Sequence, residues 1–361
     1  MKKEIYAMFL PQFHRIPEND EWWGEGFTEW DNVRKAKPLY NNHLQPQVPL
    51  MGYYDLSDVK TLEMQTNLAN KFGVDGFCFY HYYSNGKLLL EKPAENLLMT
   101  PSININYFFS WANHDWRRTW YQFNNELLFE QKYGDEKGIV EHYKYLSNFF
   151  KDKRYKKIGN KPLFVIYRSD LVENFELMKK IWNKCSIEDG FSGIYFVSTI
   201  TGKGIDKNAM SYDAYYSFEP DAIISTKIGK TKRFVLEIRA KIIPVLNSKL
   251  KFHLFRQKFK YEYLCSKSYT PILGIDKPYI QGAFARWDNT PRHSFNGRVI
   301  IGSTKELFKK MIKEKISNSD PMALPIIIIN SWNEWSEGSN IEPNTIDRYS
   351  FLEAIKEAVD E

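Results

Sequence analysis

Near the C-terminus the chain reads Ile326-Ile327-Ile328-Ile329-Asn330-Ser331-Trp332-Asn333-Glu334-Trp335-Ser336-Glu337-Gly338. An uninterrupted β-branched run is typical of a strand buried on both faces, as in a parallel sheet covered by helices. Two carboxylates and two indoles follow it directly. Acids in such a place need partners or raised pKa values, and bulky apolar rings raise those values further. Paired acids on an aromatic platform suit glycosidic chemistry, and the flanking tryptophans make a loop with two solvated acids the weaker interpretation.

Eight short apolar runs ending in aromatic or polar clusters recur along the chain. They predict strands at Ile5–Phe13, Gly76–Tyr83, Ile103–Asn113, Pro162–Arg168, Gly193–Thr199, Ala214–Phe218, Tyr279–Asp288 and Pro325–Trp332. Helical periodicity separates most of them, as over Leu62–Phe72 and Val140–Phe150. This alternation predicts an α/β fold, a (β/α)8 TIM-type barrel formed by a single domain over residues 1–361. A doubly wound sheet is the alternative, but no glycine-rich nucleotide motif follows any strand.

The composition indicates a soluble globular protein that is rich in aromatic residues. Hydrophobic residues make up 43% of the chain, charged residues 26% and aromatic residues 16%. Sugar-binding clefts use such rings, because sugar C–H faces stack on them while polar neighbours bind the hydroxyls. The three isolated cysteines argue against a disulfide scaffold and a zinc site. The N-terminus lacks a secretory signal and no stretch approaches the ~20 apolar residues of a membrane span, so we expect a cytoplasmic protein.

Residues 222–270 differ in charge from the rest of the chain. They hold 12 Lys and Arg against Glu237 and Glu262, a net charge of +10, so the remainder carries −4 of the total +6. Apolar residues at helical spacing, such as Phe234 and Ile238, make this basic insertion or lid amphipathic. It is expected either to meet an anionic membrane surface, an acidic polysaccharide or a pyrophosphate-linked carrier, or to be a solvated lid that assists solubility. No nucleic-acid motif accompanies the charge, so nucleic acid is not an expected partner.

In a (β/α)8 barrel the active site lies at the C-terminal ends of the strands. Nearly every predicted end offers an aromatic ring with an amide, an imidazole or a charge. The predicted glycan-binding set is Gln12, His14, Trp30, Tyr80, His81, Trp111, Asn113, Arg286, Trp287, Asp288, Asn289, Trp332, Asn333 and Trp335. At any one end core packing or capping is the better explanation, and agreement over five or six ends favours a cleft. Neither a serine-hydrolase elbow nor an H-E-x-x-H motif is present, so no metal or other cofactor is expected.

Three groups of motifs resemble the WbsX family of polysaccharide-biosynthesis proteins. They are Phe9–His14 with Glu21–Trp30, then Arg286–Arg292, and finally Trp332–Gly338 with Ile341–Pro343. The last group is similar both to that family and to the endo-α-mannosidases of glycoside hydrolase family 99. The resemblance spans the chain from the first strand to the last, and the basic insertion is the part without a counterpart.

The resemblance implies a (β/α)8 barrel that opens onto a glycan cleft, with Glu334 and Glu337 as the catalytic pair. In family 99 the first glutamate deprotonates the sugar 2-hydroxyl, which attacks C1 to give a 1,2-anhydro sugar. The second protonates the leaving oxygen and then activates water. By analogy Glu334 is the base and Glu337 the acid, whereas an ordinary retaining enzyme places a nucleophilic carboxylate ~5 Å from the acid. The residues alone leave these roles open, because the sequence does not say which glutamate has the raised pKa.

Three functions are compatible with these features. The leading one is a retaining glycosidase of surface-polysaccharide (O-antigen or capsule) metabolism that acts on an oligosaccharide or lipid-linked glycan. The second is a glycosyltransferase of O-antigen or capsule assembly, which suits a cytoplasmic protein at the inner face of the membrane but lacks a D-x-D motif. The third is a glycan-binding protein without catalysis, which the presence of both glutamates argues against.

Overall fold

The computed structural model describes residues 2–118, 126–204, 211–250, 253–268 and 276–361. Eight parallel strands form its centre: β1 (Glu4–Phe9), β2 (Gly76–Ser84), β3 (Asn106–Trp111), β4 (Lys161–Ile166), β5 (Tyr195–Ile200), β6 (Ala214–Ser217), β7 (Tyr279–Phe284) and β8 (Ala323–Asn330). Each pairs with the next in chain order, and β8 pairs with β1 to close the barrel. The predicted (β/α)8 barrel is therefore confirmed, with each strand inside or overlapping a predicted run.

The isoleucine run occupies the middle of β8, between β1 and β7. Ile326 and Ile329 pair with Glu4 and Ala7 of β1, and Ile329 also pairs with Ala283 of β7. All four isoleucines are fully buried. Their backbone groups form hydrogen bonds with the two neighbouring strands, and the barrel interior and the outer helices cover the two faces of the strand. Continuous β-branched residues suit this environment better than an alternating pattern.

Helices surround the barrel and cross its rim. In the described residues they are α1 (Pro17–Trp23), α2 (Trp30–Lys35), α3 (Val59–Lys71), α4 (Lys92–Met99), α5 (Glu136–Phe150), α6 (Phe175–Glu188), α7 (Lys230–Lys249), α8 (Tyr261–Cys265), α9 (Thr290–His293), α10 (Lys305–Ser317) and α11 (Ser350–Asp360). The two predicted helices correspond to α3 and α5 but begin earlier. Their starts are fixed by Asp58 and Asp135, whose side chains accept hydrogen bonds from first-turn amides.

Short strands and turns complete the fold. The strands are Lys87–Leu89, Trp116–Arg118, Glu126–Phe129, Lys157–Ile158, Gln257–Lys260, Trp287–Asp288, Arg298–Ile301, Asn333–Glu334 and Ser339–Asn340, and the turns are Ser169–Leu171, Ile223–Lys227, Ser294–Asn296 and Trp335–Glu337. None of the helices in the described ranges is long and apolar enough to cross a bilayer.

The basic segment lies between β6 and β7 and is attached to the loop that follows β7. Its strand Gln257–Lys260 pairs with Arg298–Ile301, which pairs in turn with Trp287–Asp288. Residues 251–252 and 269–270 of the segment fall outside the described residues. The segment therefore stands beside the rim formed by the C-terminal ends of the strands. Its limits at 222–270, and its description as an insertion within one domain, stay predictions.

Helix α7 carries an apolar stripe on its solvent-facing side. Phe234, Val235, Ile238, Ile242 and Val245 are each at least 40% exposed, and at 3.6 residues per turn they share one side of the helix. The opposite side packs on the protein, where Ile243 is buried and the Asn247 amide donates to Asn296 Oδ1 over 2.9 Å. The predicted amphipathic helix is present, and its apolar side is turned away from the barrel.

Candidate active site

The side chain of Asn333 ties the end of β8 to the end of β1. Its Oδ1 accepts a hydrogen bond from the Leu10 amide over 2.7 Å, and its Nδ2 donates to the Leu10 carbonyl over 3.0 Å. Beyond the ends of the two strands, the side-chain amide of Asn333 therefore makes the pair of hydrogen bonds that a neighbouring strand would make with Leu10. The next residue is Glu334, whose own amide donates to Ser331 Oγ over 2.9 Å. The position of Glu334 is thus fixed from both sides.

A short hairpin presents both glutamates of the predicted pair. Asn333–Glu334 pairs antiparallel with Ser339–Asn340, and a 3-10 turn at Trp335–Glu337 connects them. The turn ends at Gly338, which has a φ of 53°. A β-carbon there would lie 2.8 Å from the Asp288 carbonyl, so both the left-handed conformation and the close approach require glycine.

The third carboxylate, Glu342, packs beneath the hairpin on the side of the barrel core and bonds its turn at Trp335. It is buried and accepts three hydrogen bonds: from Tyr54 Oη over 2.7 Å, Gln65 Nε2 over 2.7 Å and Trp335 Nε1 over 2.9 Å. Burial raises the pKa of Glu342 to about 7, although the three donors oppose this rise. Glu342 therefore holds Trp335 in place and does not line the cavity described next.

Glu334 and Glu337 line a cavity of about 450 Å³ at the C-terminal mouth of the barrel. Its aromatic lining is Trp23, Phe27, Tyr80, Tyr82, Trp116, Tyr167, Phe218 and Trp287. Its polar lining includes Gln12, Asn19, Glu29, His114, Asp115, Arg117 and Arg292. Flat rings together with hydrogen-bonding groups match the two kinds of surface on a sugar, the apolar C–H faces and the polar rim.

The two glutamates differ in their electrostatic surroundings. Burial raises the pKa of both, and the charge of Glu337 raises that of Glu334 as well. Arg292 lowers both pKa values, and its Nη1 donates to Glu337 Oε1 over 2.5 Å. The direct contact with the guanidinium therefore favours the ionised form of Glu337, and the charge of Glu337 adds to the rise in the pKa of Glu334.

A second buried carboxylate holds Arg292. Its Nε donates to Glu29 Oε1 over 2.7 Å, and the hydroxyl of Ser336 donates to the same oxygen. Glu29 is only 2% exposed and directly precedes α2, whereas Arg292 lies in α9. The row Glu29–Arg292–Glu337 thus connects three separate parts of the chain at the cavity wall.

Five residues of the predicted site line this cavity, namely Gln12, Tyr80, Trp287, Glu334 and Glu337. The other predicted residues lie elsewhere: His14, Trp30, His81, Trp111, Asn113, Arg286, Asp288, Asn289, Trp332, Asn333 and Trp335. Most of these satisfy backbone groups or fill the core.

Asn113 repeats the arrangement found at Asn333. Its Nδ2 donates to the Arg168 carbonyl over 2.8 Å, and its Oδ1 accepts from the Arg168 amide over 2.8 Å. It joins the ends of β3 and β4 as Asn333 joins the ends of β8 and β1. Both amides are fully buried and engaged by the backbone.

Four of the predicted tryptophans belong to the core beneath the cavity. The Nε1 of Trp30 donates to the Tyr54 carbonyl over 2.7 Å, and that of Trp111 to the Tyr83 carbonyl over 3.0 Å. Trp332 packs against Phe77, with ring centroids 5.1 Å apart. These rings, with Trp335, are at most 3% exposed, and the indole hydrogen-bonds described for three of them explain how their polar edge is tolerated there.

Polar residues of the loop after β7 hold this loop to neighbouring parts of the chain. Arg286 donates to Asp347 Oδ2 over 2.7 Å. Asp288 Oδ2 contacts His43 Nε2 over 2.6 Å, and Asn289 Oδ1 accepts from the Arg298 amide over 2.6 Å. These contacts position the loop that carries Trp287 and Arg292.

Both predicted histidines are buried. His81 lies under α5, with Nε2 2.8 Å from His142 Nε2, and burial lowers its pKa to about 3. His14 is 3% exposed, and burial lowers its pKa too. Neither ring lines the cavity.

Several cavity residues were absent from the predicted set. Glu29 and Arg292 both lie inside the motifs Glu21–Trp30 and Arg286–Arg292 that carry the family resemblance, so a signal for them is present in the sequence. Tyr167 and Phe218 end predicted strands and were available to the same strand-end rule. Within the described ranges, no group of three His, Cys, Asp or Glu is arranged to hold a metal ion.

Sequence comparison relates the chain to one family and to two curated proteins of similar sequence. The sequence model of the family described as "Glycosyltransferase WbsX" matches residues 5–355. "Uncharacterized protein WxcX" of Xanthomonas campestris pv. campestris (strain B100) is 29% identical over 362 residues, which cover 98% of this chain and 49% of WxcX. WxcX of strain ATCC 33913 gives the same identity and coverage, so the chain spans about half the length of both relatives.

Solved structures share the barrel. The GH99 endo-alpha-mannosidase from Bacteroides thetaiotaomicron, in complex with Bis-Tris propane, aligns with a TM-score of 0.58 at 14% identity, covering 99% of this chain and 96% of that chain. A "Glycoside hydrolase-like protein" aligns with a TM-score of 0.56 at 14% identity, covering 99% and 94%. At 14% identity this similarity shows a shared fold and nothing about function.

Proposed function

The chain belongs to the family described as Glycosyltransferase WbsX, as its motifs indicated, and from that membership we propose that it is a carbohydrate-active enzyme of surface-polysaccharide metabolism. The observation that carries the proposal is the hairpin that places Glu334 and Glu337 together at the wall of an aromatic-lined cavity. Two carboxyl groups with raised pKa values, one of them beside a guanidinium, supply the acid and the base that glycosidic cleavage needs.

The proposed reaction is cleavage of a glycosidic bond with retention of configuration. One carboxylate removes the proton of the sugar 2-hydroxyl, and the freed oxygen attacks C1 to form a 1,2-anhydro sugar. The other carboxyl group gives its proton to the departing oxygen, then takes a proton from water as that water attacks C1 and breaks the C1–O2 bond of the anhydro ring. The first carboxyl group returns its proton to the 2-oxygen, so both groups regain their starting forms. Family resemblance assigns the base to Glu334 and the acid to Glu337.

The surroundings of the two glutamates favour a proton on Glu334 and an ionised Glu337, which is the reverse of the assignment from resemblance. Arg292 bonds Glu337 directly, whereas Glu334 is the more deeply buried carboxyl and feels the charge of its neighbour. The assignment from resemblance therefore requires the proton to move to Glu337 when substrate binds. An exchange of the two roles requires no such step.

The proposed substrate is an oligosaccharide or lipid-linked glycan at the inner face of a membrane. Helix α7 supports this placement because its exposed apolar stripe is bordered by basic residues, such as Lys230 and Lys241. An apolar stripe with basic borders is the pattern of helices that lie in the interface of an anionic bilayer.

The second candidate function is glycosyl transfer, which the family description favours. In that reaction the same acid pair would act on a donor sugar, and a nucleoside diphosphate or lipid pyrophosphate would leave. A glycan-binding protein without catalysis is the third candidate, and the presence of both Glu334 and Glu337 argues against it.

The test is turnover by the purified chain and by Glu334→Gln and Glu337→Gln. Surface polysaccharide and its lipid-linked precursor are offered as substrates, and new reducing ends and the anomer formed are followed by NMR. Common nucleotide sugars are offered separately, and released UDP or GDP is measured. Glu63→Gln, on the exposed side of α3, is the matched control. Full glycan turnover by both site variants would refute the proposal, and tight glycan binding without any turnover would favour the third candidate.

A further inference from the structure

The cavity that Glu334 and Glu337 line is called the glycan cavity, and a second cavity, of about 680 Å³, adjoins it. We call it the cationic pocket, and its lining includes Lys35, Lys37, Pro244, Arg256, Arg292 and His293. Arg292 lines both cavities, so a molecule that occupies one of them is adjacent to the other. Pro244 belongs to α7, which places the cationic pocket between the glycan cavity and the amphipathic helix.

The charge of the cationic pocket is one-sided. Lys35, Lys37 and Arg256 contribute positive charge, and no Asp or Glu occurs among the described residues that line it. Arg256 is half-buried, its Nε is buried without a hydrogen-bond partner, and burial together with Arg298 lowers its pKa. Buried cations in proteins are ordinarily paired with an anion. Among the described residues no carboxylate forms an ion pair with Arg256, so its buried Nε–H is available to an anionic ligand.

A neutral group in the same pocket is suited to the same ligand. Burial, with Arg292 and Arg256 nearby, lowers the pKa of His293 to about 4, so this ring is neutral at physiological pH and retains one N–H donor. Hydrogen-bond donors and fixed positive charge together are the requirements of a phosphate site.

We propose that the cationic pocket is a phosphate-binding subsite, which takes the phosphate or pyrophosphate attached to the glycan substrate. This inference rests on the proposed function, because the phosphate belongs either to a lipid carrier of the glycan or to a nucleotide-sugar donor. Arg256 supplies a planar fork that can bind two phosphate oxygens, and the two lysines supply long-range attraction. A pyrophosphate bound there would lie beside Arg292, at the edge of the glycan cavity.

The experiment is direct binding by isothermal titration calorimetry, which needs no turnover. Inorganic pyrophosphate, farnesyl pyrophosphate and UDP are titrated into the purified chain and into two variants, Arg256→Gln and the double variant Lys35→Gln/Lys37→Gln. The lysines are exposed, so the second variant keeps the fold even if the first does not. Lys180→Gln/Lys184→Gln is the matched control, because it removes two exposed charges from α6, outside the cationic pocket.

Pyrophosphate is expected to bind the wild type and the control equally and to bind each pocket variant about tenfold or more weakly. Tighter binding of farnesyl pyrophosphate than of UDP would identify a lipid carrier, and the reverse would identify a nucleotide-sugar donor. Equal affinity of pyrophosphate for the wild type and both pocket variants, or no binding to the wild type, would overturn the subsite. If binding behaves as expected while no glycan is ever turned over, the subsite stands and the proposed glycosidase function fails.

Discussion

Arg292 donates a hydrogen bond from Nη1 to Oε1 of Glu337 over 2.5 Å, while its Nε donates to the buried Glu29. A guanidinium in this place has two effects. It balances buried carboxylates that would otherwise be costly, and it lowers the pKa of the proposed catalytic pair. The stability of the rim and the protonation of the site therefore depend on the same residue.

Replacing Arg292 with Gln is expected to raise the pKa of both Glu334 and Glu337, because the cation that lowers them is gone. The acidic limb of the kcat/KM profile reports ionisation of the base in the free enzyme, so it should move to higher pH. The free energy of unfolding should also fall by about 3–5 kcal/mol, since Glu29 and Glu337 lose their shared partner.

Arg292→Lys is the control for this change, because it keeps the charge and loses the planar fork. Its pH profile should lie between those of the wild type and Arg292→Gln. An acidic limb that stays at the wild-type position in Arg292→Gln would show that Arg292 has only a structural role.

The division of roles between Glu334 and Glu337 can be decided with an activated substrate. A glycoside with a nitrophenol leaving group needs little protonation of the departing oxygen, so the variant that lacks the acid should retain far more activity on it than on a sugar leaving group. Resemblance predicts this behaviour for Glu337→Gln. The same behaviour in Glu334→Gln would assign the acid to Glu334, as the contact between Arg292 and Glu337 favours. Equal loss in both variants on both substrates would exclude a separate acid.

The two asparagine clamps offer a matched pair of variants. Asn333→Leu and Asn113→Leu each leave one backbone amide and one carbonyl without partners, so each should lower the free energy of unfolding by about 1–3 kcal/mol or more. Only Asn333 adjoins a proposed catalytic carboxylate. We expect kcat to fall much further in Asn333→Leu than in Asn113→Leu, at a temperature where both variants are folded. Similar kcat values would mean that the Asn333 clamp does not position Glu334.

Glu342 should make the stability of the fold depend on pH. Its folded pKa of about 7 lies above the ~4.3 of an unfolded glutamate, so the folded state holds its proton more tightly. The resulting stabilisation is complete below ~4.3 and is lost as the pH rises towards about 7. Glu342→Gln should flatten this part of the curve, as measured by urea unfolding from pH 4.5 to 7.5. An unchanged slope would assign the pH dependence to other carboxyls.

The barrel was predictable because its strands are decided by local sequence. The run Ile326–Ile329 is β-branched, continuous and fully buried, and such a run is typical of a strand that is covered on both faces. Helix ends were less accurate, because a cap such as Asp58 or Asp135 precedes the first apolar residue of the pattern. The first turn of each helix was missed because it is fixed by one side-chain hydrogen bond and not by the apolar pattern.

The site was predictable only in part, because the side chain of a polar residue after a strand can either line the cavity or form hydrogen bonds with the backbone. Glu334 points into the cavity, whereas Asn333, its neighbour, turns to the backbone of Leu10. Nothing in the local sequence distinguishes these outcomes, since both depend on which groups of the adjacent strand lack partners. Arg292 illustrates the same limit, because its partners Glu29 and Glu337 are distant in sequence and meet it only at the rim.

The apolar stripe of α7 predicts binding to membranes. Phe234→Ser/Ile238→Ser removes two apolar side chains that would enter the bilayer, each worth about 1.5–3 kcal/mol when fully buried, so cosedimentation with phosphatidylglycerol-containing vesicles should weaken by tenfold or more. Ile187→Ser is the control, because Ile187 is as exposed as Phe234, at 62%, and lies on α6. The control should bind vesicles as the wild type does.

The basic borders of the stripe should act differently from its apolar residues. Lys230→Gln/Lys241→Gln removes two exposed charges, each worth about 1 kcal/mol at an anionic surface, so it should weaken binding to anionic vesicles and leave the weak binding to phosphatidylcholine vesicles unchanged. Added salt should reduce wild-type binding in the same selective way, because it screens the charges and not the apolar contact. If neither pair of substitutions changes sedimentation with anionic vesicles, α7 does not contact the membrane, and the proposed placement of the substrate at the membrane loses its support.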